Sequence, residues 1–527
     1  MSKTASNHIF TLIKSLTKQE KRYFKLYCGR QGYEEDNPYI LVFDAIAAQA
    51  SYDEEKIIET FAAENFTKRF SVFKSRLYDA ILKSLHAYHS SSSVDAELKK
   101  MLHCAEILFK KTLYKQCTRI LKQAKKLAIK HDKFTTLLEI HMWEKKTIEK
   151  DNYSWQGVED IETILEEDKN VLKLIQNYCE FWNIKSMFFL PLYKGGKARN
   201  EEERENFKKI ITHPLLQGEE NALSAEAKYL YHHIYSAHFF SICDYQKSYD
   251  HLISNARMIE DHPELFDEEP NTYFSILTNA IYIGNQLKYY EESEMNLNRL
   301  RAYADKLKNE QNQDLQLKLF SSVLSLELTI YVQTGQYDKG LEIITEIEEG
   351  LEKYSDKINP IRISYFNFNM AVLYYGLERY SDALKKINLL LNDPSIDQSE
   401  DIYSFTQIMS LIIHLKLGNR DLIPYITKST HRYLKKRQRI YRTEKLILDY
   451  FNRISRDPYE DLRKEDLLHL QNELTKVVDD PLENATLEYF NFIAWAESYL
   501  LNKPYGEIVR DKVEEVRIEQ ENQRKAS

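Results

Sequence analysis

Gly335-Gln336-Tyr337-Asp338-Lys339-Gly340-Leu341 is a tight turn between two helical patterns, and related stretches recur along the chain. A tyrosine marks each stretch, and a small residue follows it three positions later. The pairs are Tyr114 with Cys117, Tyr245 with Ser248, Tyr290 with Ser293, Tyr337 with Gly340, and Tyr380 with Ala383. The last four tyrosines are separated by 45, 47 and 43 residues. Such an interval predicts one helix pair per unit, each stacked on the next.

The residues around each tyrosine fit two antiparallel helices. Six positions before it stand Leu108, Phe239, Gly284, Tyr331 and Tyr374, and nine before it stand Ala105, Ser236, Ile281, Leu328 and Ala371. Seven positions after four of the tyrosines stand Leu121, Leu252, Ile344 and Ile387. Small residues let two helices approach, an aromatic ring wedges the turn, and the aliphatic residues follow the helical period.

Composition also favours helices. The 527 residues include only 13 Gly and 11 Pro, against usual shares of about 7% and 5%, so turns are few. Hydrophobic residues make up 43% of the chain, which is enough for a core. We therefore expect an all-α protein, built as an α-solenoid of antiparallel helix pairs.

The net charge and the cysteines indicate which partners and which cellular compartment to expect. The net charge of −8 gives no overall attraction to nucleic acid or anionic membranes, so such binding would have to be local. The five cysteines are scattered and form no CxxC pair, which indicates neither a disulfide framework nor a zinc site. Lysines interrupt the first residues where a signal peptide needs an apolar run, and no stretch approaches the roughly 18 apolar residues of a membrane span. We expect a soluble, cytoplasmic protein without membrane contact.

Three domains are predicted. Residues 1–95 form a helical module with helix starts at Thr17, Asn37-Pro38, Asp53 and Thr67, and it ends in the serine run 90–93. Residues 96–456 form the helix-pair array, and residues 457–527 form a helical cap with a charged tail. The basic helix 68–83 follows a short helix and a turn, as in a helix-turn-helix DNA-binding module; three-helix packing with a solvated basic face gives the same pattern.

The turn pattern resembles the tetratricopeptide repeat (TPR), whose second half reads G-x-Y-x-x-A, with long-period bacterial members as the nearest likeness. Residues 335–347 and 371–383 match best. The period exceeds the family's, which is about 34 residues, so longer helices or connections are expected. The resemblance implies that the first helix of each pair lines a groove that binds a protein or peptide partner. Mapped onto this chain, the groove residues are Tyr229, His233, Asn279, Tyr282, Ser325, Thr329, Tyr365, Asn369 and Tyr375.

The TPR subfamily that grips chaperone tails needs a Lys and an Asn on successive turns of that helix. The corresponding places here hold Thr278 and Tyr282, Ser325 and Thr329, and Phe368 and Val372. The resemblance therefore does not extend to chaperone-tail binding. The groove asparagines can bond a peptide backbone or can simply face water.

No stretch of the sequence has the residue spacing of the catalytic and metal-binding motifs compared here with it. Gly195-Gly196-Lys197-Ala198 lacks the GxxxxGK[ST] phosphate loop, and the chain has no GxGxxG, GxSxG or HExxH motif. His232, His233 and His238 do not have the i, i+4 spacing that favours one metal ion. We expect no cofactor, no metal site and no enzyme; an unrecognised active site is the least favoured alternative.

The strongest local charge lies between Lys428 and Arg456, a stretch that contains ten basic residues and only two acidic ones. Interleaved tyrosines, including Tyr425 and Tyr433, suit phosphate contact with base stacking. The same helices show an ordinary buried face, and a basic surface can equally dock an acidic protein or the Glu346–Glu352 region of another copy. The candidate anion or nucleic-acid ligands are Lys428, Arg432, Lys435, Lys436, Arg437, Arg439 and Arg442.

The sequence thus favours a non-catalytic scaffold that binds a partner segment in its groove. The alternative is a nucleic-acid-binding regulator that uses helix 68–83, the 428–456 patch, or both, with the array as sensor. Oligomeric state stays open.

Overall fold

The computed structural model describes residues 7–29, 37–90, 93–150, 153, 158–195, 201–266, 269–307, 313–355, 357–393, 401–436, 442–455, 464–477 and 489–526. Within these ranges every regular element is helical, so the all-α prediction is confirmed. The chain divides into two compact units, one of residues 1–180 with 223–225 and one of residues 181–222 with 226–527.

The first unit begins with short helices and continues with longer ones. Its helices are α1 (His8–Ser15), α2 (Lys18–Gly29), α3 (Pro38–Ala48), α4 (Glu54–Thr60), α5 (Phe70–Tyr88), α6 (Val94–Lys110), α7 (Tyr114–Lys130), α8 (Phe134–Lys150) and the first part of α9 (Val158–Gly195). Two separate hydrophobic clusters lie here, one with buried residues between 9 and 81 and one between 98 and 171. They lie on either side of the predicted domain boundary at 95, which stays a prediction.

The second unit contains the remaining helices. They are α10 (Glu201–Ile211), α11 (Ala225–Ser241), α12 (Tyr245–Asp261), α13 (Pro263–Phe266), α14 (Pro270–Gln286), α15 (Tyr290–Leu307), α16 (Gln313–Thr334), α17 (Tyr337–Glu342), α18 (Ile344–Lys353), α19 (Pro360–Gly376), α20 (Tyr380–Asn392), α21 (Asp401–Lys416), α22 (Ile423–Lys436), α23 (Arg442–Ile454), α24 (Lys464–Val477), α25 (Phe492–Leu500) and α26 (Tyr505–Ala526). One hydrophobic core joins α16 through α26. Short 3₁₀ turns lie at Asn65–Arg69, Pro214–Leu216, Glu219–Asn221 and Arg420–Leu422.

Side-chain caps set several helix starts in the first unit. Thr17 and Glu20 form a capping box, in which each side chain accepts a hydrogen bond from the other's backbone N–H at 3.1 and 2.8 Å. Asn37 and Asp53 cap α3 and α4. The predicted start at Thr67 is wrong, because residues 65–69 form a 3₁₀ turn and α5 begins at Phe70. The basic stretch 68–83 therefore starts outside the α-helix.

The five turn tyrosines share one backbone geometry. Each begins a helix, and the residue two positions before it has a positive φ: 60° at Thr112, 63° at Cys243, 59° at Lys288, 72° at Gly335 and 58° at Glu378. In each turn the backbone N–H of the residue directly before the tyrosine donates a hydrogen bond to the carbonyl six positions before the tyrosine, at 2.8–3.0 Å. This is the bond that closes a helix end through a left-handed residue. The predicted turns are confirmed.

Hydrogen bonds between paired helices show their antiparallel register. The Ser248 hydroxyl donates to the Ser236 carbonyl at 2.8 Å, and the Asn255 amide donates to the Tyr229 carbonyl at 3.2 Å. As the residue number falls on α11 it rises on α12, so the two helices run in opposite directions. Cys117, Ser248, Ser293 and Ala383 are buried at the helix contacts, as the pattern predicts.

The predicted helical cap at 457–527 includes α26 and stays a prediction; the first residues of α26 are buried, and most of those from Arg510 onward are exposed or half-buried. α26 lies against turns that precede it by more than 170 residues: Arg510 donates to the Gly335 carbonyl at 3.2 Å, and Gln520 donates to the Lys288 carbonyl at 3.3 Å. Arg517 pairs with Glu291 at 3.3 Å. Gly506 allows close approach, because an added Cβ would lie 2.9 Å from the Gly376 carbonyl oxygen.

One stretch of the described residues, Leu315–Thr334 in α16, is by length and composition long and apolar enough to cross a membrane, with a mean hydropathy of 1.3. The expectation that no stretch would approach this length is corrected. Half of the stretch is buried inside the protein, as in a core helix of a folded domain.

Candidate functional site

Helices α14, α16 and α19 line a cleft of about 520 Å³ in the second unit, which we call the amide cleft. Its lining is Tyr282, Asn285, Gln286, Ser325, Leu326, Thr329, Gln333, Asn359, Ile361, Arg362, Tyr365, Asn369 and Tyr489. Side-chain amides and hydroxyls dominate this list. The cleft therefore offers mainly neutral hydrogen-bonding groups on three neighbouring helices, together with the guanidinium of Arg362.

Two buried amide oxygens at this cleft have no hydrogen-bond partner within the described residues. They are Oδ1 of Asn285 and Oε1 of Gln333. Asn285 as a whole residue is 8% exposed. A buried acceptor without a donor costs on the order of 1–3 kcal/mol. Such groups are accordingly rare in native proteins, where a water molecule, an ion or a ligand commonly supplies the partner.

A second hollow of about 260 Å³ adjoins the amide cleft and shares Asn285, Gln286, Gln333 and Tyr489 with it. Tyr505, Val509 and Lys512 of α26 form part of its wall. The two partnerless oxygens belong to shared residues, so a single elongated ligand that reached both hollows would pass Asn285 and Gln333.

Tyr489 forms part of the cleft wall, and aromatic contacts position it. Its ring stacks on Phe405 with centroids 4.4 Å apart, and its hydroxyl lies 2.9 Å from that of Tyr365. The Asn369 amide donates to the Tyr365 carbonyl at 3.0 Å, one turn earlier in α19. These contacts hold Tyr365 and Asn369 in place on the same wall.

Five of the nine groove residues predicted from the sequence line the amide cleft: Tyr282, Ser325, Thr329, Tyr365 and Asn369. Asn279 is exposed on α14 and lines neither hollow. Tyr375 is corrected, because it is fully buried in the core, where its ring meets those of Tyr380, Phe490 and Tyr505. Burial raises the pKa of Tyr375 well above its usual value.

Tyr229 and His233 lie elsewhere in this unit, in a stack with Phe189. The ring centroids are 5.4 Å apart between Tyr229 and His233 and 4.7 Å apart between His233 and Phe189. Burial, followed by the nearby Lys185 charge, lowers the pKa of His233 to about 4. The histidine is therefore neutral at physiological pH and serves as an aromatic packing group.

Sequence reasoning missed Asn285, Gln333 and Tyr489. One signal was present: Gln286 and Gln333 both stand four positions before a turn tyrosine, so the same polar residue recurs at one register. Tyr489 carries no comparable signal, because it reaches the cleft from a distant part of the chain.

Two further histidines of α11, His232 and His238, contact a histidine of α12 and aromatic rings. Nδ1 of His232 lies 2.9 Å from Nδ1 of His251, and His238 packs against Phe188. Burial lowers the pKa of His251 to about 4, with the His232 charge as a second cause. In the described ranges, no group of three or more His, Cys, Asp or Glu side chains is placed to hold a metal ion.

The predicted basic patch is exposed where the structure describes it. Lys428, Arg432, Lys435 and Lys436 are exposed on α22, and Tyr425 beside them is 76% exposed. Arg442 on α23 lies 3.8 Å from Glu473. Arg437 and Arg439 lie outside the described residues.

No protein-family model, no curated protein and no solved structure matches this chain.

Proposed function

We propose that this protein is a non-catalytic scaffold that holds an extended segment of a partner protein in the amide cleft. In this proposal the helix pairs form a TPR-like solenoid, and α14, α16 and α19 are the first helices of three successive pairs. The shared turn geometry at Lys288, Gly335 and Glu378 supports this assignment. So does the side-by-side packing of α14 on α16 and of α16 on α19.

The observation that carries the proposal is the pair of partnerless oxygens on Asn285 and Gln333. An extended peptide presents a backbone N–H at every non-proline residue, and carbonyl groups between them. Once the Asn285 and Gln333 side chains turn their oxygens toward the cleft, its N–H groups would supply the donors that these oxygens lack, and its carbonyls would accept from side-chain amides such as that of Gln286. Grooves that bind extended segments obtain affinity from such main-chain bonds.

The polar lining of the amide cleft supports a binding role and not a catalytic one. Amides and hydroxyls hydrogen-bond without changing protonation state near neutral pH, whereas acid-base catalysis uses groups that do. The five cysteines, which are all unpaired, are consistent with a proposed location in the reducing cytoplasm. A protein segment, rather than a membrane or nucleic acid, is the proposed ligand of this cleft.

In the test, a random peptide library is selected for binding to the full chain. The affinities of the selected peptides are then measured by fluorescence anisotropy. Asn369→Leu and Gln333→Leu each remove one amide from the cleft. Each should weaken binding by roughly 30-fold, since two lost hydrogen bonds contribute about 2 kcal/mol.

Asn279→Leu is the matched control, because it removes an exposed amide from α14 outside both hollows. It should leave the affinity unchanged. Selected peptides that bind the cleft variants as tightly as the unmodified chain would refute the proposal, as would a selection that yields no specific binder.

A further inference from the structure

Helix α7 in the first unit carries an acid-free basic surface. Its seventeen residues include six Lys and Arg and neither Asp nor Glu. Five of these basic side chains are exposed, and we call them the α7 stripe: Lys115, Arg119, Lys122, Lys126 and Lys130. The sixth, Lys125, is turned toward Glu144 and Glu167 at 3.5 and 2.5 Å.

The stripe is straight and continuous. At 3.6 residues per turn, its five members fall within an arc of about 80° and extend along roughly 22 Å of helix. The opposite face is anchored by Cys117, Leu121, Ala124 and Ala128, which are fully buried. The charges therefore stand on a rigid element with a fixed spacing.

A shallow hollow of about 350 Å³ runs along the stripe, lined by Lys115, Thr118, Arg119, Lys122, Gln123 and Lys126. Every one of these side chains can donate a hydrogen bond, and none is negatively charged. Arg119, Lys122, Lys126 and Lys130 make no salt bridge to any residue in the described ranges. The hollow is thus suited to a ligand that presents several acceptor oxygens and several negative charges in a row.

The surrounding sequence adds to this field. Residues 96–150 contain 14 Lys and Arg against 6 Asp and Glu, and three of these lysines, Lys125, Lys133 and Lys145, pair with the carboxylates of Glu167, Asp95 and Asp168 outside that range. A local basic surface on an acidic protein attracts polyanions at that surface only, and the attraction is screened by salt.

We infer that the α7 stripe binds the phosphate backbone of duplex nucleic acid without reading its sequence. The stripe favours a duplex over a single strand because single-strand sites add aromatic rings on which bases stack. The one aromatic residue of α7, Tyr114, packs against Phe109 with ring centroids 5.5 Å apart. This site is separate from the amide cleft, so it stands or fails independently of the proposed peptide binding.

The test measures affinity of the full chain for a labelled DNA duplex over a salt series. Each neutralised phosphate contributes about −0.9 to the slope of log affinity against log salt. With four contacts the slope is about −3.6, so a fourfold rise in salt weakens binding by about 150-fold. In the variant Arg119→Gln, Lys122→Gln, Lys126→Gln and Lys130→Gln, the slope should fall nearly to zero.

The matched control is Lys428→Gln, Arg432→Gln, Lys435→Gln and Lys436→Gln, which removes the same charge from exposed positions on α22. It should keep the unmodified chain's slope. Gln has nearly the helix propensity of Lys and Arg, so circular dichroism should show equal helix content in all three proteins.

Three results would overturn the inference. The first is an unchanged slope in the α7 variant, and the second is a slope lost in the α22 control instead. The third is binding of the unmodified chain to vesicles that contain phosphatidylserine, without binding to the duplex at the lowest salt.

Discussion

The contact between Tyr337 and Gly376 should show strong energetic coupling. The Tyr337 ring is 1% exposed, and a Cβ added to Gly376 would lie 2.4, 2.5 and 2.7 Å from three of its carbons. Ordinary contact begins at 3.4 Å, so the ring would have to move by 1.0 Å. Gly506 limits that movement, because a Cβ there would already lie 2.9 Å from the same ring.

Gly376→Ala should therefore destabilise the second unit by about 2–3 kcal/mol, the upper part of the range for overpacked cores. In a Tyr337→Leu background the ring is absent, and the same alanine should cost nearly nothing. The difference between the two backgrounds is a coupling energy of about 2–3 kcal/mol.

Urea unfolding of the full chain measures these differences, with fluorescence of the fully buried Trp495 as a reporter in the same core. Gly418→Ala is the control: Gly418 has a φ of 74° and no neighbouring atom within 4 Å of an added Cβ. Gly418→Ala should lower the free energy of unfolding by about 1 kcal/mol through its effect on the backbone alone. This loss should be equal with and without the Tyr337→Leu substitution. An equal cost for Gly376→Ala in both backgrounds would refute the packing argument.

Two further predictions concern buried polar groups. Asn285→Leu should raise the free energy of unfolding by about 1 kcal/mol, because it removes a partnerless oxygen, while it weakens the proposed peptide binding; loss of stability would contradict this. The pKa of His233 is lowered to about 4, so the unfolded chain binds a proton below its usual 6.5 while the folded chain does not. Stability from this group is complete above pH 6.5 and falls as the pH drops toward 4, and His233→Phe should flatten that part of the urea-midpoint profile; an unchanged profile would count against it.

The local pattern predicted the turns well because each depends on residues close in sequence. The left-handed residue, the tyrosine and the small residue three positions later all lie within about six residues, and their burial follows from helical period. The groove positions on α14, α16 and α19 follow from the same register. Five predicted residues consequently lie together in one cleft.

Residues that meet through distant chain segments were not predictable in this way. Tyr375 lies on a face that periodicity assigns to the groove, but Phe490 and Tyr505, more than 110 residues later, cover it. Tyr489 reaches the cleft by the same route. Nothing near Tyr505 in sequence indicates that α26 packs against Gly335 and Lys288, because its partners are carbonyl groups that every residue possesses.

The position of α26 has a consequence for synthesis. About 130 residues separate Gly376 from Tyr505, and at roughly 5–20 residues per second a ribosome needs on the order of ten seconds to make them. During that interval the Tyr337 ring lacks its Gly506 neighbour and the hollow beside the amide cleft lacks one wall. The nascent chain therefore lacks the α26 wall of this hollow until the last residues of the helix have been added.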